Sequence, residues 1–132
     1  MMGNGPMKRI LVADDESHIV NVVRLKLSNA GYQVVAAGDG EEAYEAAVES
    51  PPDLLITDYH MPFMSGLELC ERLKRTPQTQ HVPALMLTAR GYSLKQEDLI
   101  RTNIVGVLSK PFSPREVLAR VQELVGAVPQ SS

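Results

Sequence analysis

The chain has one cysteine, Cys70, so no disulfide can close within it, and the residue reads as a small buried hydrophobe. No stretch approaches the ~18 to 20 apolar residues of a membrane-crossing helix. Residues Met1 to Met7 (MMGNGPM) lack the apolar core of a signal peptide and read as a flexible leader. Basic residues are not gathered into a stripe: 13 Lys and Arg are mixed with 16 Asp and Glu, for a net charge of −3. That mixture argues against direct binding of nucleic acid. There is no internal repeat and no low-complexity block. These absences leave the expectation of a soluble, cytoplasmic protein with no membrane or direct nucleic-acid partner.

What remains is a composition of 44% hydrophobic and 22% charged residues over 132 positions, which fits one globular domain with a proper core. The expected limits are a leader at 1–7, a domain at 8–126 and a frayed tail at 127–132. Short apolar runs alternate with amphipathic segments throughout. Strands are expected at Arg9 to Ala13, Gln33 to Ala37, Leu54 to Thr57, Ala84 to Thr88 and Gly106 to Ser109.

Helices fill the intervals. In the first, Ile19, Val22, Val23, Leu27 and Ala30 share a face, and Gly31 stands where a left-handed C-cap belongs. The second runs from Gly40 to Glu49 and is stopped by Pro51-Pro52. A third, Gly66 to Lys74, turns Leu69, Cys70 and Leu73 inward. The stretch from Leu94 to Thr102 reads as a weaker helix, packing through Leu94, Leu99 and Ile100. The last buries Val117, Val121, Leu124 and Val125. Asp39 with Glu42, Ser65 with Glu68, Ser93 with Gln96 and Ser113 with Glu116 match or approximate capping boxes, and Pro114 suits a first helical position.

Five strands alternating with five helices imply an α/β doubly wound parallel sheet, covered on both faces. Right-handed crossovers and this length favour the flavodoxin-like (βα)5 order 2-1-3-4-5. In such folds sites form beyond the carboxyl ends of the strands. Asp14 and Asp15 follow the first strand, Asp58 ends the third, Thr88 ends the fourth and Lys110 follows the fifth. Each has a bland reading: a helix cap for the aspartates, a strand end for Thr88, a solvated charge for Lys110. An Asp pair after an apolar strand also suits a P-loop NTPase, but no G-x-x-x-x-G-K-[ST] occurs. Joint placement at one end of the sheet defeats the bland readings. Converging carboxylates repel unless a cation intervenes, and hard oxygen ligands favour magnesium. A lysine and a hydroxyl beside them could neutralise a transferring phosphoryl group, leaving an aspartate as nucleophile.

These residues fall in four motifs: Ile10-Leu-Val-Ala-Asp-Asp-Glu16, Asp58-Tyr-His-Met-Pro-Phe-Met-Ser-Gly66, Leu87-Thr-Ala89 and Ser109-Lys-Pro-Phe112. From about Lys8 to Val125 the chain resembles the receiver domains of two-component response regulators, such as those of chemotaxis. The resemblance implies that Asp58 accepts a phosphoryl group from a sensor histidine kinase or a histidine phosphotransfer protein. It implies Mg2+ held by Asp15, Asp58 and the His60 backbone carbonyl, with Asp14 acting through water. Lys110 would contact the phosphoryl group, Thr88 would turn to meet it, and the Lys110–Pro111 bond would be cis. His60 and Arg90 match rate-tuning positions. Such a domain is a signalling phosphoprotein, catalysing only its own phosphorylation and dephosphorylation. Its effector is unnamed by the sequence, and it stands alone or forms part of a longer protein.

The sequence departs from the family pattern in two places. Val107 stands where an aromatic switch residue is usual, so the relay would rest on Thr88 and on rearrangement of the Leu94–Thr102 segment. Glu116 and Arg120 match part of a charged dimerisation set, but Val105-Gly106 and Gln96 do not, so that dimer is not expected. Two rival readings are a pseudo-receiver, which would lack a key residue, and an aspartyl-phosphate phosphohydrolase. The latter commonly carries a second Asp where this chain has His60.

Overall fold

In the computed structural model, residues 7–89 and 94–126 are described. Most of the expected leader and tail, together with Arg90 and Ser93, lie outside them. The chain alternates strictly: β1 (Arg9–Ala13), α1 (Ser17–Asn29), β2 (Gln33–Ala37), α2 (Gly40–Glu49), β3 (Leu54–Asp58), α3 (Gly66–Arg75), β4 (Ala84–Thr88), α4 (Gln96–Ile100), β5 (Ile104–Ser109) and α5 (Pro114–Val125). All strand pairs are parallel, in the order β2-β1-β3-β4-β5. The doubly wound flavodoxin-like order is therefore present.

The central strands β1, β3 and β4 read as unbroken apolar runs because they are buried on both sides, while the edge strands β2 and β5 are partly exposed. Alternation along β1 and β3 sends Leu11, Ala13 and Leu55 to a core shared with Ala43, Ala47, Leu69, Cys70 and Leu73. The opposite face carries Ile10, Val12, Leu54 and Ile56 against Val20, Val23, Leu27, Val117 and Val121. Each fully buried Leu or Ile contributes roughly 1.5–3 kcal/mol by leaving water. Tyr32 joins this second core and donates its hydroxyl to the Gly126 carbonyl at 2.9 Å.

Several helix starts behave as their sequences require. Ser65 with Glu68 and Ser113 with Glu116 form complete capping boxes. Asp39 accepts from the Glu42 N–H, but Glu42 reaches back to the Gly38 N–H and not to its own cap residue. Gly31, at φ 99°, follows α1 in the left-handed region.

Three expectations are corrected. Val22 is 38% exposed, because the face of α1 that meets the sheet is set by Val20, Val23 and Leu27. The fourth helix is a single turn, Gln96–Ile100, with Leu99 and Ile100 exposed; Leu94 alone of the expected trio packs on the core. Its start is marked by Asp98, which accepts from the Lys95 N–H at 3.1 Å; the expected pairing of Ser93 with Gln96 rests on a residue outside those described. Finally, β5 begins at Ile104: the register slips between Ala84 and Leu85, leaving Val105 as an extra, exposed residue.

Candidate active site at the carboxyl ends of the strands

Register brings the chemistry together. Ala13 pairs with Thr57, Asp58 with Leu87, and Thr88 with Ser109, so the residues that end or follow β1, β3, β4 and β5 form one rim. Main-chain bonds fix them: the Asp14 N–H donates to Ala37 O, Tyr59 N–H to Leu87 O and Lys110 N–H to Thr88 O. The Lys110–Pro111 peptide is cis.

Beyond β3 the chain must turn sharply. The Gly66 N–H donates to the Tyr59 carbonyl at 2.8 Å, and a Cβ at Gly66 would overlap the Asp58 carbonyl oxygen. Only glycine lets α3 start this close to the acidic residue. Met61 is buried in the core beneath the loop, while Phe63 is fully exposed with φ 68°.

Asp14, Asp15 and Asp58 each offer a carboxylate oxygen, all within 4.8 Å of one another. Asp14 and Asp58 are buried and Asp15 is exposed at the mouth. Burial pushes the Asp14 carboxyl up to about 6, and the charges of Asp58 and Glu16 add to the push. An N–H from Glu16 and the Lys110 ammonium oppose it. Asp58 is raised for the same leading reason, burial, with Lys110 acting against it. The Lys110 ammonium is 3.0 Å from Asp58 Oδ1, 3.3 Å from Glu16 Oε1 and 3.8 Å from Asp14 Oδ2. Burial would lower its pKa, but these acids outweigh that and raise it.

A cleft of about 400 Å³ opens over this cluster, lined by Asp15, Glu16, Asp58, His60, Ala89 and Lys110. Two buried oxygens at the site, Asp14 Oδ2 and Thr88 Oγ1, have no hydrogen-bond partner among the described residues. Unpartnered buried oxygens are costly and point to a ligand that would satisfy them. The donor set is all oxygen and carries three carboxylates, which fits a hard divalent cation.

The structure thus brings together Asp14, Asp15, Asp58, Thr88 and Lys110, with His60 at the edge. Val107 sits apart, partly buried against the core on the α2–α3 side of the sheet. Glu16 was not among the residues singled out from sequence. Its signal was available, since it directly follows the acidic pair. In the charged set considered for dimerisation, Glu116 is engaged in its capping box. Arg120 donates to the Val107 carbonyl and pairs with Glu123 on its own helix.

The model of the response regulator receiver domain matches residues 10–122. The chain is 40% identical over 118 residues to the alkaline phosphatase synthesis transcriptional regulatory protein PhoP of Bacillus subtilis, covering 89% of this chain and 48% of that protein. It is 36% identical over 118 residues to the phosphate regulon transcriptional regulatory protein PhoB of Pseudomonas aeruginosa, covering 89% and 52%. The chain spans about half the length of these curated relatives. The crystal structure of the chemotaxis response regulator CheY4 of Vibrio cholerae superposes with a TM-score of 0.82 at 34% identity, covering 90% of this chain and 99% of that one. No helix among the described residues is long and apolar enough to cross a membrane. A parallel five-stranded sheet, a buried acidic cluster with its lysine at the strand ends, and these matches converge: the chain belongs to the receiver domains of two-component response regulators.

Proposed function

We propose that Asp58 is the phosphoacceptor, charged by a sensor histidine kinase or a histidine phosphotransfer protein in the cytoplasm. The observation that carries this is the Lys110 ammonium at 3.0 Å from the Asp58 carboxylate, inside a cluster of three acids at one rim of the sheet. In the transfer, an Asp58 oxygen bonds to phosphorus while the bond from phosphorus to the donor imidazole nitrogen breaks, and its electron pair stays on the imidazole. Asp58 becomes a mixed anhydride, and the lysine is placed to meet the oxygens of the transferred group. Thr88, with its buried and unpartnered hydroxyl, can donate to another of those oxygens.

Mg2+ is the expected cofactor, held by Asp15, Asp58 and the His60 main-chain carbonyl, with Asp14 acting through water. Bound there it would neutralise charge on the phosphoryl oxygens. His60, exposed on the cleft wall, would tune access of water to the anhydride; the other rate-tuning position, Arg90, lies outside the described residues. The domain catalyses its own phosphorylation and dephosphorylation and no turnover of free substrate. Output would run through Thr88 and the one-turn α4, whose few buried contacts suit a low-stability switch element, and not through a ring at Val107.

The test is intact mass after incubation with acetyl phosphate and Mg2+. One phosphoryl group is expected on the wild type and none on Asp58→Asn. A wild type that gains no mass overturns the reading in favour of an interaction module.

A further inference from the structure

We infer that Glu16 is a positioning residue that holds the Lys110 ammonium in the resting state and yields it to the phosphoryl group. The inference rests on the phosphoacceptor reading above.

An ammonium has three N–H donors. Among the described residues, Lys110 faces three carboxylates: Asp58 at 3.0 Å, Glu16 at 3.3 Å and Asp14 at 3.8 Å. Only Asp58 and Glu16 lie within hydrogen-bond reach of it; Asp14 Oδ2, at 3.8 Å, makes an ion pair but no hydrogen bond. An incoming phosphoryl oxygen competes with these acids for the ammonium. The Asp14 side chain is fully buried and that of Asp58 is 6% exposed, so neither can turn to water. The Glu16 side chain is 56% exposed and can rotate into solvent with little loss of hydration. The exposed acid is the one that leaves.

Glu16 is otherwise free for this role. Its backbone forms the N-cap of α1, with its carbonyl accepting from the Ile19 and Val20 N–H groups. Its side chain makes no capping bond. Changing the side chain leaves the helix start intact. It also lines the same cleft as Asp58 and Lys110, so its carboxylate stands where an incoming anion must pass. Glu16 thereby biases the site against the phosphorylated form. The bias is small, because an exposed ion pair contributes little.

Beryllofluoride affinity at saturating Mg2+ tests this, with wild type, Glu16→Gln and Glu16→Asp compared. Glu16→Gln should bind about two- to five-fold more tightly, the range set by one exposed ion pair, with an unchanged melting temperature. Glu16→Asp keeps the charge but is one methylene shorter, which withdraws its carboxylate from Lys110. It should tighten binding nearly as much as the Gln variant. If Glu16→Asp behaves as wild type while Glu16→Gln binds more tightly, the residue acts by general repulsion and the inference fails. It fails equally if Glu16→Gln binds as wild type does. Failure of the wild type itself to bind beryllofluoride would instead overturn the phosphoacceptor reading.

Discussion

Lys110 Nζ lies 3.0 Å from Asp58 Oδ1 and 3.8 Å from Asp14 Oδ2, so a single cation balances two buried acids. The arrangement is electrostatically unfinished: the cluster carries three carboxylates, and two of them keep raised proton affinities despite the lysine. Such a site holds its acids ready for a divalent cation at some expense to the stability of the metal-free fold.

Removing the lysine should expose that expense. Lys110→Met leaves two buried carboxylates without their partner and should destabilise the metal-free protein by about 1–3 kcal/mol at pH 7.5. The figure is below that for a fully buried pair because the Lys110 side chain is 24% exposed. Urea unfolding would measure it. The loss should shrink at pH 5, where the acids can take up protons in place of the missing ammonium.

Asp14 supplies a pH dependence of defined sign. Its carboxyl rises from 3.8 to about 6 on folding, so between those values the folded state binds more protons than the unfolded one. The stability this contributes is fully present below pH 3.8 and is lost as pH rises through about 6. At neutral pH the ionised group therefore weakens the metal-free fold by up to about 3 kcal/mol. Asp14→Asn should melt at a higher temperature than wild type at pH 7.5, and the difference should fall to roughly a third at pH 4.5. Equal differences at both pH values would show that Asp14 is not the group responsible.

Gly66 predicts a steric effect on Asp58, the proposed acceptor. A methyl group at this position overlaps the Asp58 carbonyl oxygen and approaches the Thr57 side chain, both of which are fixed backbone-proximal atoms in the core. Gly66→Ala should lose about 2–4 kcal/mol in urea unfolding and should slow acetyl phosphate labelling of whatever remains folded.

Much of this was legible beforehand because the relevant signals are local. The strands are continuous apolar runs, two helices begin after Ser65 and Ser113 with their matching Glu residues, and the chemistry sits at strand ends or just beyond them. What the sequence concealed depends on packing. Periodicity alone placed Val22 on the inner face of α1, but the neighbouring stripe of Val20, Val23 and Leu27 meets the sheet. Apolar character suggested burial for Leu99 and Ile100, yet α4 is too short to bring them to the core. The engagement of Lys110 with Glu16, 94 positions apart in sequence, follows only from strand register.

Phe63 is a strained residue with nothing to gain from its strain inside the domain. Its φ of 68° is unfavourable for a bulky side chain, and its ring is fully exposed. Asn accepts this backbone region more readily. Phe63→Asn should therefore raise stability by about 0.5–1 kcal/mol in thermal or urea unfolding, leaving acetyl phosphate labelling unchanged. A loss of stability would mean that the ring makes a contact worth more than the strain.

Thr88 separates stability from signalling. Its hydroxyl is fully buried and has no partner among the described residues, so the resting fold carries a desolvated polar group for no internal return. Deleting that hydroxyl removes no hydrogen bond, whereas deleting a bonded one would. Thr88→Val, which keeps the branched shape, should be neutral or stabilising by up to about 1 kcal/mol in the unphosphorylated protein. The same variant should still gain a phosphoryl group on Asp58, because the proposed nucleophile and Lys110 are untouched. What it should lose is the structural consequence: amide exchange in α4 would change on phosphorylation of the wild type and far less in Thr88→Val. If instead the variant is destabilised by more than about 1 kcal/mol, the hydroxyl has a partner in the resting state, and its reorientation cannot be the event that carries the signal away from Asp58.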